Sequence, residues 1–474
     1  MTQDFDVVVI GAGPSGMAVA ADLFSQGFKV LVLDERPGPG GNIHASATYH
    51  SPASARSFGS DYMHGVARTK AFVASEIPAE YGASLSRVEG NTIHYMRAGR
   101  LHQIRARRLV LATGAVERPV PFPGWELPGV MTAGAFQLMM KQSRVLPAGE
   151  YVLCGSSPLL LLLACQLLRQ GSRPKAILDT SPAASVFRAG LDHLIALAHN
   201  PWSAAKGLGY MARLRLAGVS IIRDVTALSA HGADTVDEIA YTRRDGRTGS
   251  LPVRTVLVHE GVIPNIQVSL SLGCAHRWDD VQMCFVPQLD AWGESTRPGT
   301  FIIGDAGGIL GAEAALHAAR LAATRIAEQI GVARDPRADA DRSADVSAAR
   351  RGLSRARRLR AFLDAAFPPG LSSKPPADDT VICRCEQVRA STLRAAVRDG
   401  AMGPSQAKVF TRCGMGLCQG RICGNAVTRL IAAETGQSPQ DVGSYHVRFP
   451  LKPLSLAELA EEDTCEGQAD APAA

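Results

Sequence analysis

Residues 4–41, DFDVVVIGAGPSGMAVAADLFSQGFKVLVLDERPGPGG, leave this chain little freedom in choosing a fold. The run DVVVI (6–10) reads as a buried strand, Gly11-Ala12-Gly13-Pro14-Ser15-Gly16 as a G-x-G-x-x-G turn, 17–25 as a helix of small residues, and 29–33 as a second strand ending in Asp34-Glu35. Gly11 permits the tight turn, Gly13 lets the backbone approach a pyrophosphate, and Gly16 lets helix and strand pack closely. The helix N-terminus at Pro14 and Ser15 offers amides and a positive dipole end to phosphate oxygens. Asp34 stands where an acidic side chain accepts hydrogen bonds from a ribose, with Glu35 and Arg36 beside it. Such a unit predicts an α/β fold around a parallel sheet.

Two later segments decide which dinucleotide is held. LVLATGAVERPVPFPG, from Leu109, is an apolar strand running into Ala112-Thr113-Gly114 and a Pro-rich crossover. TFIIGDAGGILGAEAALHAARLAA, from Thr300, is a strand ending in Gly304-Asp305, then a glycine turn and an Ala-rich helix that ends near Ile330. With the fingerprint, these elements resemble the flavoproteins built of two dinucleotide-binding domains, in which the ATG turn and the GD motif close around FAD. Asp305 alone would also serve as a helix N-cap. Between them, YVLCGSSPLLLLLACQLLRQGSRPKAILDT repeats the strand-turn-helix pattern with a damaged fingerprint. Gly155 remains, but Ser157 crowds a pyrophosphate and Leu160 pushes helix from strand, while Asp179 can still accept a ribose hydroxyl. A degenerate NAD(P) domain is expected, vestigial or holding a second nucleotide near Gly155 for structural reasons. The first 380 residues contain no C-x-x-C or C-x-x-x-x-C, so the redox disulfide of thioredoxin-reductase-like enzymes is missing. Cys154, Cys165, Cys274 and Cys284 read as buried apolar residues.

Composition changes after Ile330. Residues 331–380 are rich in Ala, Arg, Asp and Pro and read as an interdomain connection with one amphipathic helix over 348–366. Its stretch RRGLSRARRLR supplies part of the net charge of +6 and reads as a solvated helix or a contact for an acidic protein, not as a nucleic-acid site. The segment 381–443, with short helices expected at 391–398 and 424–435, has a marginal core unless something staples it. Cysteines are the staple: Cys383 and Cys385 present two thiolates from one loop, and Cys418 and Cys423 two more where a helix begins and anionic sulfur is stabilised. Cys413 is left out because it precedes Gly414-Met415-Gly416. Spacing alone admits an iron-sulfur cluster or a structural zinc ion. A flavin in the same chain favours iron, since the two form relays.

The order of modules resembles the FAD-containing (alpha or A) subunits of heteromeric opine oxidases, hydroxyproline and proline dehydrogenases and hydrogen cyanide synthase, which end in a bacterioferritin-associated-ferredoxin-like (BFD-like) [2Fe-2S] domain. GAGPSG, LDERPGPGGN, ATGAVERP, GDAGG, CRCE, TRCGMGLCQGRIC and the closing RFPLKPLSLAELA carry the resemblance. Ser157, where members tend to have glycine, and Cys413, where they tend to have a small residue, depart from it. The resemblance implies that Gly41 and Asn42 approach the flavin and that Cys383, Cys385, Cys418 and Cys423 ligate the cluster. It further implies that a small amine or imino-acid substrate is oxidised on a glycine-oxidase-like flavoprotein partner, and that a small additional iron-sulfur subunit can complete the assembly. This chain would then relay electrons between FAD and cluster toward an acceptor.

The expected layout is an α/β two-dinucleotide-binding-domain flavoprotein with a small, mainly helical iron-sulfur domain. Residues 1–120 and 290–330 form the FAD domain, 121–289 the second Rossmann-like domain, 331–380 a linker, 381–445 the BFD-like domain and 446–474 a tail. The other readings are a self-sufficient NAD(P)H-dependent reductase and a metal-stapled docking or redox-sensing module. No acid–base pair or nucleophile stands out, and His44, His50 and His64 receive no catalytic role. The longest apolar run, 158–168, is about half the ~20 residues that cross a bilayer. Together with an acidic N-terminus and scattered cysteines, this places the chain in the cytoplasm, any membrane contact being peripheral and through the electron acceptor.

Overall fold

The computed structural model describes residues 3–331, 336–458 and 460, with backbone alone at 203, 204 and 336–342. Strand Gln3–Ile10 lies in a seven-stranded sheet between Val30–Asp34 and the long Arg100–Leu111, parallel to both. The first half of Arg100–Leu111 pairs antiparallel with Thr92–Arg97, and its second half pairs parallel with Thr300–Ile302. Alternation along the first strand feeds two cores, which is why its sequence is apolar throughout. Val7 and Val9 pack with Leu23, Phe301 and Ile326 on one face, and Val8 and Ile10 with Leu31, Leu33 and Tyr95 on the other.

A second, five-stranded parallel sheet runs Ser220–Ile222, Ala176–Asp179, Tyr151–Gly155, Thr255–His259, Val130–Thr132. Helix Pro158–Arg169 covers one face through Leu160, Leu163 and Leu167, and a three-stranded antiparallel sheet covers the other through Leu228 and Ile239. Two short antiparallel strands, Ala115–Glu117 and Val262–Pro264, connect the units. The chain returns to the first unit well before the expected residue 290. Val268 and Cys274 already share a core with Phe5, Ile10 and Leu33.

The connecting helix is longer than expected, Pro336–Ala366, and packs Ala349 and Leu353 against Ala314 and Leu321 of helix Ala312–Ile330. The C-terminal unit holds helices Ala390–Arg398 and Gly424–Thr435, as expected within a residue, together with Pro404–Thr411 and Pro439–Val442, which were not expected. Both additional helices carry proline in the first turn, where its missing amide costs nothing. Beyond this unit the chain does not trail away. Val447, Phe449 and Leu451 fold back onto the first sheet's core, and Lys452 pairs with Glu35. Residues 461–474 lie outside the described residues.

Candidate functional site

Four segments distant in sequence close on one crevice. A Cβ on Gly11 would lie 2.5 Å from the carbonyl oxygen of Ala112, one on Gly41 would lie 3.0 Å from Cα of Gly13, and one on Gly304 would lie 2.5 Å from Oγ of Ser15. Backbone therefore meets backbone where the fingerprint approaches the ATG motif and the Gly40-Gly41 loop, and the GD motif closes on the Ser15 side chain. Helices Pro14–Phe24 and Ala312–Ile330 both begin without a side-chain cap, so their first amides are left for an external acceptor such as phosphate. Asp305 accepts from the amides of Leu310 (3.2 Å) and Gly311 (3.0 Å) just ahead of the second helix. Thr113 and Gly114 are tied to Asn265 by bonds of 3.0 Å, Thr113 Oγ1 to the Asn265 carbonyl and the Asn265 amide to the Gly114 carbonyl. Arg36 donates to Asn42, whose side-chain amide reaches the Ala115 carbonyl. The donor set and the side-chain-free cradle fit FAD.

Asp34 is held in place by two backbone amides. One carboxylate oxygen accepts from Ala12 N (2.5 Å), the other from Arg36 N (2.8 Å), and its burial raises its pKa. This ties the fingerprint turn to the next strand, leaving the exposed Glu35 as the acidic group at the rim. Sequence reasoning also missed Lys141. Its ammonium is buried and donates to the carbonyl of Ile43 (2.9 Å) and to Gln137 Oε1 (3.0 Å), above the Tyr62 ring, and burial pushes its pKa down to about 7. A lone lysine on a helix of mixed composition gives no sequence signal of such a clamp. His44 and His50 are buried among Tyr62 and Phe58 as core side chains, and His64 is exposed.

The second crevice has an occupant from this same chain. In open α/β sheets a nucleotide lies outside the carboxyl ends of the strands, and here residues 368–372 of the connector lie there. Ser156 Oγ donates to the Pro368 carbonyl (2.8 Å), and a Cβ on Gly370 would lie 2.4 Å from the Thr180 carbonyl oxygen. The buried Glu260 accepts from the amides of Leu371 and Ser372, each at 2.7 Å, and from Thr180 Oγ1 at 2.8 Å. Asp179, expected to remain open to a ribose, accepts from Ser181 N and Oγ. Ser157 caps its own helix through Leu159 N, and Leu160 is buried in the core.

In the C-terminal unit, Cys383, Cys413 and Cys423 place their sulfurs within 4.8 Å of one another. Cys418 interacts with both Cys423 and Cys385, so the five thiols form one group. Cys413, left out on sequence grounds, belongs to this group because Arg412, in the left-handed conformation, ends helix Pro404–Thr411 and turns the chain inward. Thiol hydrogen bonds from Cys413 and Cys423, with amides of Gly414 and Glu386, pull Cys383 down to about 2. Cys423 and the amides of Ile422 and Gly420 pull Cys418 to about 5, whereas Cys413 is pushed up to about 12. Converging sulfurs aimed at by backbone amides fit an anionic metal–thiolate centre. The loop is anchored on the second unit: Trp125 Nε1 donates to the Val381 carbonyl at 2.5 Å, and Arg384 lies 4.0 Å over the Trp125 ring.

Residues 5–320 match the family Pyridine nucleotide-disulphide oxidoreductase, and residues 378–462 the Sarcosine oxidase A3 domain. The opine oxidase A-subunit of Agrobacterium tumefaciens is 40% identical over 472 residues, covering 97% of this chain and 92% of the relative. The chain belongs to the opine oxidase A-subunit family of FAD-dependent oxidoreductases. Within this family's reach, the HcnB subunit of hydrogen cyanide synthase from Pseudomonas aeruginosa is 32% identical, with 95% of this chain and 97% of the relative covered. L-proline dehydrogenase from P. horikoshii shares the fold, with a TM-score of 0.67 at 20% identity, covering 97% of this chain and 80% of that one. Among the described residues no helix is long and apolar enough to cross a membrane.

Proposed function

We propose that this flavoprotein is the FAD- and [2Fe-2S]-containing electron-transfer subunit of a heteromeric dehydrogenase or oxidase acting on an opine, an imino acid or a similar secondary amine. The filled second crevice carries the reading. With Glu260 holding the connector where NAD(P)H would lie, electrons have to enter by another route, and the thiol group supplies a one-electron port beside a two-electron cofactor. Cys383, Cys385, Cys418 and Cys423 are the cluster ligands in this reading, with Cys413 a fifth thiol behind them. Fingerprint, ATG turn and GD motif hold FAD, and Lys141 fixes the loop that approaches its ring. Substrate oxidation falls to a glycine-oxidase-like partner in the cytoplasm, in keeping with relatives that are themselves named as subunits.

Purified protein should show flavin bands together with iron–sulfide absorption and about two irons per chain; zinc without iron would refute the cluster. Anaerobic mixing with NADH or NADPH should leave the flavin oxidised. Rapid bleaching would instead establish a self-sufficient NAD(P)H-dependent reductase.

A further inference from the structure

We infer that the apolar rim around the cysteine loop is the seat of the substrate-oxidising flavoprotein, an inference that rests on the electron-transfer reading above. Cys385 is exposed and Cys418 half-buried. Beside them Val409 (79% exposed), Phe410 (59%), Met415, Leu417 (78%) and Ile422 stand open to solvent. Val409 and Phe410 stand on the last turn of helix Pro404–Thr411, and Met415, Leu417 and Ile422 on the cysteine loop that follows it. A Cβ on Gly416, between Met415 and Leu417, would lie 2.2 Å from Cβ of Cys385. Arg412, two residues past Phe410, pairs at 2.9 Å with Glu386, the neighbour of Cys385, and the Ile422 amide bonds to Cys418 sulfur. Single exposed apolar side chains are ordinary on a protein surface, but five within residues 409–422, on the segment that carries Cys413 and Cys418, are not.

Charge decides which partner fits. Proteins that meet briefly to pass electrons use small faces steered by charge. A lasting interface between subunits has an apolar centre enriched in aromatic residues and methionine and depleted of charge. The rim has the second composition. Arg412 is neutralised by Glu386, Lys408 lies 5.9 Å over the Tyr445 ring, and Arg421 donates to the Leu451 carbonyl. The occupant is therefore a permanently associated flavoprotein with a matching apolar face, not a diffusing carrier.

The test isolates the native complex through an affinity tag on this chain and compares Val409→Glu and Phe410→Glu with a control, Phe187→Glu, at an exposed apolar site on helix Ser185–Asp192. Each rim variant is expected to retain at least tenfold less partner than wild type, about 1.4 kcal/mol, with FAD, iron and sulfide per chain unchanged. The control retains the partner. In the wild-type complex, amide exchange over 408–422 slows relative to the free chain. Full retention by both rim variants, loss through Phe187→Glu alone, or unchanged exchange over 408–422 would each overturn the inference. Zinc in place of iron refutes the electron-transfer reading but not the seating, which the retention assay reads independently.

Discussion

Replacing Glu260 by alanine should release the connector from the second crevice. This carboxylate is 1% exposed and accepts three hydrogen bonds, from Leu371 N and Ser372 N at 2.7 Å and Thr180 Oγ1 at 2.8 Å. Hydrogen bonds to a charged acceptor contribute about 1.5–3 kcal/mol each, and a buried amide left without a partner adds its own penalty. Water entering the opened crevice recovers part of this, and bonds sharing one acceptor are not additive, so about 3 kcal/mol is a reasonable net loss for the segment. Arg429, whose charge Glu260 supports and Arg118 opposes, would lose its compensation as well. At about 1.4 kcal/mol per factor of ten, amide exchange at Leu371 and Ser372 should accelerate about 100-fold. Peptides covering 367–374 in hydrogen–deuterium exchange of the full chain read this directly, and strands of the first sheet serve as an internal standard. Glu260→Gln, which keeps one acceptor oxygen, should fall between. Equal exchange in wild type and Glu260→Ala would show that the carboxylate does not hold the connector and would remove the main support for a filled crevice.

Further outcomes follow from the same structure. Gly13→Ala should fold normally but weaken FAD binding at least tenfold in a flavin-release titration, because its Cβ meets nothing in the protein nearer than Gly41 Cα at 4.0 Å. Gly16→Ala should instead lose soluble protein, since that Cβ would lie 1.8 Å from the Gly11 carbonyl oxygen. Cys418→Ser should abolish iron and sulfide binding, while Cys413→Ser should keep both, read by metal analysis and visible absorption. Burial holds His44 neutral, its pKa lowered from 6.5 to about 4. Above pH 6.5 both states are neutral and stability is complete. Between pH 6.5 and 4 the unfolded chain takes a proton that the folded one refuses, removing on the order of 3 kcal/mol. Denaturant midpoints should therefore drop across this window in wild type and fall less in His44→Gln.

Where local order dominates, sequence and structure coincide. The strand DVVVI, the helix after the glycine turn, and helices 391–398 and 424–435 all form within a few residues of their expected ends, because the glycines, the proline and the apolar period act over one or two turns of chain. Helix Pro336–Ala366 extends upstream of its expected start through a polar stretch. Its apolar contacts with Ala314 and Leu321 come from a helix that precedes it, so its own sequence showed only the packed half.

Site chemistry divides the same way. The turns of the first crevice were legible because they are written in glycine: at Gly11 and Gly41, where backbone meets backbone, close approach leaves no room for a Cβ. Asp34 is legible as an acidic side chain at the end of the second strand, but that its oxygens also accept from the amides of Ala12 and Arg36 is seen only in folded distances. Cys413 precedes Gly414-Met415-Gly416 rather than a helix, and only the turn at Arg412 shows that its sulfur reaches Cys383 and Cys423.

By itself, then, the sequence determined that the chain folds around parallel sheets, presents one intact dinucleotide turn and one damaged one, and gathers its chemistry-bearing cysteines at the end. Tertiary structure alone decided that residues 368–372 fill the damaged crevice, that Lys141 clamps the loop after Gly41, and that the sulfur of Cys413 stands within 4.8 Å of those of Cys383 and Cys423. The physical reason is range: glycine turns and apolar periods act between near neighbours, while Glu260 meets Leu371, and Lys141 meets Ile43, only after the whole chain has packed.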